Sequence, residues 1–163
     1  MRHLVFFVAA CAACARQPVV PSTQTTAAAV TAPPVSSRDV RVSRDIVRRC
    51  AVRIGDRAPE FAFDGTTLDG QGRDLLAQVA KCLVTGPLAG RAVRIVGHTD
   101  ARGEPEYNMT LGAVRAESAA DFLIRLGVSP GRILPTSRGE LDATGADEPA
   151  MQRDRRVDVE VAQ

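Results

Sequence analysis

Apolar residues recur along this chain in two rhythms, one near the helical period and one of period two, and the changes of rhythm mark out its elements. Ile46, Val47 and Cys50 stand at helical spacing behind Ser43, whose hydroxyl suits the cap of a first turn, so Val40 to Cys50 predicts a short helix. Leu75, Leu76, Val79, Cys82 and Leu83 share one face of a helix predicted over Leu68 to Leu83, stopped by Gly86-Pro87. A longer helix is expected from Pro105 or Tyr107 to Leu126, with Leu111, Ala116, Ala119, Leu123 and Leu126 facing inward and Gly127 ending it. Phe61-Ala-Phe63 alternates and then meets Asp64-Gly65, the pattern of a strand leaving for a loop. Ala92 to Val96 is rich in β-branched residues, Ile133 to Ser137 suits a short strand, and Val157 to Val161 alternates strictly, as an antiparallel or half-buried strand does. Strands interleaved with helices over residues 38–163 predict an α/β fold, a two-layer α/β sandwich.

Ahead of this domain the rhythm is lost. Met1 to His3 carries one arginine, and Leu4 to Ala15 is an uncharged run ending at Arg16. Such a run is too short for a bilayer, which needs about 20 residues, and it has the anatomy of a secretory signal over residues 1–13. Val8-Ala9-Ala10-Cys11 and Cys11-Ala12-Ala13-Cys14 both resemble the lipobox of bacterial lipoproteins, whose cysteine becomes the lipidated first residue. The first fits the box better at its opening position, but cutting there leaves an apolar core of only about seven residues, so Cys14 is preferred and Cys11 is the alternative. An ordinary signal peptide with two incidental thiols is the competing reading. The Cys-x-x-Cys spacing also fits a redox pair, but that chemistry needs a folded helix N-terminus to depress a thiol pKa, and this pair lies in the signal. Residues 14–37 follow as Pro, Thr, Ser, Ala, Val and Gln with a single charge and no aromatic residue, the composition of a flexible tether. Its random span is roughly 25 to 30 Å and its taut reach about 75 Å.

Composition narrows the chemistry. The chain has 163 residues, enough for one domain with appendages, and a formal net charge of +2, too small for a nucleic-acid surface. There is no Trp, and Tyr107 stands with five Phe, so platforms for stacking bases or sugars are scarce. Lys81 is the only lysine among 21 cationic residues. Two readings of that bias stay open, nucleotide composition and forked recognition of carboxylates or phosphates. His98 has only His3 for company, so neither a zinc set nor a His-centred triad can be assembled; no catalysis, metal or cofactor is expected. Arg153, Arg155 and Arg156 read as a solvated basic cluster ahead of a phosphate contact. Cys50 and Cys82 sit on neighbouring predicted helices, and in an oxidising periplasm they are expected to form a disulfide, with two buried free thiols as the alternative. The cross-link would add roughly 3 to 4 kcal/mol in the chain-entropy model.

The chemistry concentrates between Ile95 and Ala116. A strand ends at Gly97-His98, a loop with Gly103 follows, and a helix starts near Tyr107, which puts Thr99 and Asp100 at a strand's carboxyl end, where α/β folds place their sites. Arg115 lies about two turns into the helix, so a loop folded back would let the Asp100 carboxylate and the Arg115 guanidinium flank one small cavity. Such a pair suits a zwitterion, because the carboxylate accepts from an ammonium and the guanidinium forks a carboxylate. The competing arrangement has Asp100 and Arg115 paired with each other, pinning the loop.

The pattern Gly-His-Thr-Asp-x-x-Gly-x-x-x-Tyr-Asn-x-x-Leu-x-x-x-Arg-Ala over residues 97–116 resembles the signature of the OmpA-like C-terminal domain family, of the peptidoglycan-associated-lipoprotein type. Gly127-Val128, Arg132-Ile133, Gly139-Glu140 and Arg155-Arg156-Val157 continue the likeness in the family's order, over roughly residues 60 to 162. The resemblance implies non-covalent binding of peptidoglycan through meso-diaminopimelate in the stem peptide. Asp100 would hold that residue's ammonium and Arg115 its carboxylate, with Thr99 beside them, Asn108 shaping the loop and Arg155 as a rim donor. Ala follows either candidate cysteine, which by the same resemblance favours lipid anchoring in the outer membrane with the domain in the periplasm. A structural or assembly component of an envelope complex, bound to a protein partner, is the alternative. Three positions depart from the family: Asp154 stands for the usual Asn, Ser137 for the first Gly of Gly-x-Gly-Glu, and Gly112 for the usual Ser.

Overall fold

A computed structural model describes residues 40–53 and 64–163. The signal over 1–13, Cys11, Cys14, the tether and the Phe61 to Phe63 strand lie outside the described residues. The elements run β1 (Val40–Val42), α1 (Arg44–Cys50), α2 (Gly70–Thr85), β2 (Val93–His98), α3 (Pro105–Arg125), a 3-10 turn (Pro130–Arg132), β3 (Ile133–Gly139), α4 (Glu148–Asp154) and β4 (Val157–Val161).

The four strands form one sheet in the order β1-β4-β2-β3. β4 runs parallel to β1 and antiparallel to β2, while β3 runs parallel to β2. Period-two alternation in β2 and β4 sends Val93, Ile95, Val157 and Val159 into the core, where they meet Leu76, Val79 and Leu83 of α2 and Ala116, Ala119 and Leu123 of α3. The neighbouring positions Arg94 and Glu160 pair across the opposite, open face at 2.7 Å. The result is the two-layer α/β sandwich expected from the pattern.

Two differences from the sequence reading concern short elements. Val40 to Val42, expected as the start of the first helix, is an edge strand in register with Val157 to Val159. Its β-branched residues find a partner strand distant in sequence, and Ser43 then caps α1 through a side-chain bond from the Ile46 amide. α4 was not anticipated, because Glu148–Asp154 has no apolar stripe; it starts on the Asp147 cap with Pro149 in the first turn.

Cys50 and Cys82 form a disulfide that ties the end of α1 to α2 with a Cα–Cα distance of 5.6 Å. Elsewhere the packing is set by small residues. A Cβ at Gly97 on β2 would overlap the Gly112 carbonyl of α3, and a Cβ at Gly112 would overlap the Ser137 hydroxyl of β3. The latter Cβ would also stand 2.9 Å from the Gly97 carbonyl oxygen, so backbone as well as Ser137 closes the contact to a side chain on the helix. Two of the three departures, glycine on α3 and serine on β3, therefore meet at one contact.

Reduction should raise the mass of the oxidised domain by two hydrogens and lower its stability by about 3 kcal/mol in chemical denaturation. Gly112→Ser alone should destabilise by about 1 to 3 kcal/mol through overpacking. The double change Gly112→Ser/Ser137→Gly should recover part of that, the crowding by the Gly97 carbonyl remaining, and thermal melts of the four proteins in the cycle read it directly.

Candidate functional site

Backbone bonding carries strand-like order past the end of β2. The His98 amide donates to the Arg156 carbonyl and the Thr99 amide to the Gly139 carbonyl, each at 2.9 Å, which holds Thr99 and Asp100 between β3 and the approach to β4. Gly103, at φ +97°, then turns the chain into α3. Asn108 in the first turns of α3 donates through Nδ2 to the Arg102 carbonyl at 3.0 Å and to the Glu140 carboxylate, tying the loop to the segment after β3.

Asn108, Gly112 and Arg115 are spaced by four and three residues and share the face of α3 that rests on the strand ends. The Gly97–Gly112 approach brings this face in closely, and Arg115 is fully buried. Its Nε donates to the Gly65 carbonyl at 2.7 Å and its Nη1 to the His98 carbonyl at 2.8 Å, which fixes the plane of the guanidinium. Burial, aided by the like charge of Arg155, lowers its pKa to about 10, so it stays cationic at neutral pH.

Asp100 is 3% exposed and accepts from two guanidiniums. Burial by itself would raise its pKa; the hydrogen bonds from the Arg102 and Arg155 side chains and the Arg102 amide prevail and hold it below the ordinary carboxylate value. Arg102 and Arg155 both reach Glu148 as well, at 3.0 and 2.9 Å, closing a ring of two acids and two bases.

Asp100 and Arg115 therefore line one cavity of about 120 Å³ with Thr99, Tyr107, Asn108 and Arg155. They do so without pinning each other: Asp100 takes its bonds from Arg102 and Arg155, and Arg115 gives its bonds to carbonyls. The Thr99 Oγ1 is buried in this wall with no hydrogen-bond partner among the described residues, an unmet polar group of the kind a ligand satisfies. With Asp64 and Arg102 also in the lining, guanidiniums outnumber carboxylates by one.

Arg155 needs correction. Expected as a rim donor, and with Arg153 and Arg156 as part of a solvated cluster, it is 3% exposed and forms the inner wall, while Arg156 is 9% exposed and only Arg153 is exposed. The start of β4 lies beneath the loop, and each buried cation there has a carboxylate partner. Arg102, Tyr107, Asp64 and Glu148 were missed. Tyr107 donates to Asp64 at 2.6 Å, a bond that, with burial, raises the phenol's pKa. Arg102 stands two residues from Asp100 and was legible as a local partner; Asp64 and Glu148 come from distant segments with no local sign. Asp154, the third departure, accepts from the Thr144 and Gly145 amides, a structural task that an Asn carbonyl oxygen also performs.

A larger recess of about 400 Å³ opens on the far face of the sheet. There His98 lies 3.3 Å from Asp142 and 3.1 Å from Asp158, and Arg94, Arg138 and Arg156 each pair with a carboxylate. Its charged side chains pair with one another, while His98 Nε2 and Asp158 Oδ1 make no hydrogen bond among the described residues; the smaller cavity is the candidate because Asp100 and Arg115 line it without pairing with each other. Among the described residues no group of three or more His, Cys, Asp or Glu is placed to hold a metal, and no helix is long and apolar enough to cross a membrane.

The two-layer sandwich thus recesses an acid and a base at the carboxyl end of a parallel strand pair. Residues 60–156 match the OmpA family model, and the chain belongs to that family. It is similar to outer membrane protein A of Bordetella avium, 37% identical over 103 residues that cover 62% of this chain and 52% of the relative. It is also similar to the peptidoglycan-associated lipoprotein of Pseudomonas aeruginosa, 38% identical over 101 residues covering 61% and 58%. The chain thus spans little more than half the length of these curated relatives. Among solved structures, the peptidoglycan-associated lipoprotein of Burkholderia pseudomallei superposes with a TM-score of 0.59 at 36% identity, covering 63% of this chain and 87% of that one. The cell wall anchor of the type VI secretion system from Pseudomonas aeruginosa shares the fold at 24% identity, with a TM-score of 0.52 over 72% of this chain and 91% of that one.

Because the folded-state pKa of Asp100 lies below its unfolded value, its contribution to stability is present at neutral pH and is lost as pH falls below about 4. Asp100→Asn should therefore be less stable than the parent by about 1 to 3 kcal/mol at pH 7. That gap should narrow toward pH 3 in a denaturant series; a gap independent of pH would contradict the assignment.

Proposed function

We propose that the domain binds peptidoglycan without covalent attachment, taking the meso-diaminopimelate end of a stem peptide into the cavity beneath the β2–α3 loop. The observation that carries this reading is the recessed pair, an anionic Asp100 and a cationic Arg115 on the walls of one cavity of about 120 Å³. Asp100 receives the ligand's ammonium and Arg115 its carboxylate, a division that matches a zwitterion end to end. Thr99 Oγ1 supplies a hydroxyl in need of a partner, Asn108 holds the loop in shape, and Arg155 backs Asp100 from inside. Relatives named as peptidoglycan-associated lipoproteins, at 36% to 38% identity, support the coarser part of this reading, association with peptidoglycan.

In this reading the domain acts by holding, with no bond made or broken. A lipid on Cys14, or on Cys11, and the tether over residues 14–37 would join the outer membrane at one end to the wall at the other. An assembly role against a protein partner would call for a broad apolar patch beside a degenerate cavity. The cavity keeps both charged side chains in its lining, which favours a small charged ligand.

Sedimentation with purified sacculi tests the proposal. The parent should co-sediment, and Asp100→Ala and Arg115→Ala should each reduce the bound fraction at least about tenfold, the size expected on losing a buried charged hydrogen bond. Equal sedimentation of folded variants and parent would show that the cavity is not the grip.

A further inference from the structure

A carboxylate offers about four acceptor positions on its two oxygens. In Asp100 all of them are used within the protein. Oδ1 accepts from the Arg102 amide at 3.1 Å and from Arg102 Nε at 3.2 Å; Oδ2 accepts from Arg102 Nη2 at 2.8 Å and from Arg155 Nη1 at 2.9 Å. An incoming ammonium thus meets a carboxylate whose capacity is filled, and one of the two guanidiniums must give way before the contact can form.

The two are not equivalent. The Arg155 side chain is 4% exposed and held from inside between Asp100 and Glu148. Arg102 is 38% exposed, and Glu148, its second partner, is 57% exposed at the surface. Arg102 Nη1 already lies 3.0 Å from Glu148, so its guanidinium keeps an acidic partner on leaving Asp100. Its exposed position also means that water can solvate it as it moves, which Arg155 could not obtain.

We propose that Arg102 is a displaceable gate: with the cavity empty its guanidinium stands in for a ligand's ammonium on Asp100, and binding moves it onto Glu148. The inference rests on the stem-peptide reading and adds a selectivity to it. Only a ligand that brings its own cation can replace a cation on a buried carboxylate; a neutral group would leave Asp100 with a poorer partner than the one displaced. The gate therefore selects stem peptides whose diaminopimelate amine is free and charged over those whose amine is acylated. Arg102 acts here as a competitor of the ligand, so removing it should strengthen binding, the opposite sign to Asp100 or Arg115.

Calorimetry on the full chain, with a soluble stem peptide ending in meso-diaminopimelate and the same peptide acetylated on the side-chain amine, reads both consequences. Arg102→Ala and Arg102→Gln should each bind the free-amine peptide about three- to fivefold tighter than the parent, the worth of a partly exposed ion pair. In the parent and in both variants the acetylated peptide should bind more weakly than the free-amine peptide. In the parent, the Nε–H resonance of Arg102 should move on saturation with the free-amine peptide while that of Arg155 stays. Equal or weaker binding by the variants, or an unmoved Arg102 resonance in a saturated sample, overturns the gate and leaves the stem-peptide reading standing. A parent that binds neither peptide nor sacculi overturns both.

Discussion

Helix α3 lies on strands β2 and β3 at a separation that only glycine at positions 97 and 112 permits, and the placement of the cavity depends on that approach. Asn108 and Arg115 flank Gly112 on the same helical face, so drawing Gly112 onto the sheet carries both side chains to the strand ends. Asn108 then reaches the Arg102 carbonyl and Glu140, and Arg115 reaches the carbonyls of Gly65 and His98. A helix standing off by one side-chain layer would leave the Arg115 guanidinium without those acceptors. The Ser137 hydroxyl packs against Gly112 at the same contact.

Close packing of this kind confines charge. Asp100, Arg115, Arg155 and Arg156 are each at most 9% exposed, an expensive arrangement unless hydrogen bonds replace water around every ion. The ring of Asp100, Arg102, Glu148 and Arg155 does so for the loop, and the carbonyls of Gly65 and His98 help to do so for Arg115. Apolar replacements of similar volume would stabilise a domain of this size at least as well. In the proposed reading these charges serve the cavity, holding an anion and a cation in its lining.

Much of the architecture was legible in the sequence because the long elements carry strong periodicity. α2 and α3 have uninterrupted apolar faces and β2 and β4 have clear β-branched alternation, and each appears within a few residues of its expected bounds. β1 was not legible as a strand, since three residues gain their conformation only from pairing with β4, more than a hundred positions away. The Cys50–Cys82 pairing followed from neighbouring helices and oxidising chemistry, and the geometry bears it out. Asp100 and Arg115 stood out through the spacing of one strand, loop and helix, all local in the chain.

What the sequence by itself determined, then, is the long helices, the strands β2 and β4 and the identity of the two charged walls, because periodicity, caps and a strand–loop–helix motif act over neighbouring residues. Only the tertiary structure decided how those charges are held. Glu148 and Arg155 come from α4 and the approach to β4, about fifty residues from the loop that they brace, and no local pattern announces that Arg155 will be buried beneath Asp100 or that Glu148 will join the two guanidiniums. Burial and pairing are properties of distant segments brought into one low-dielectric space, where a charge must find its opposite.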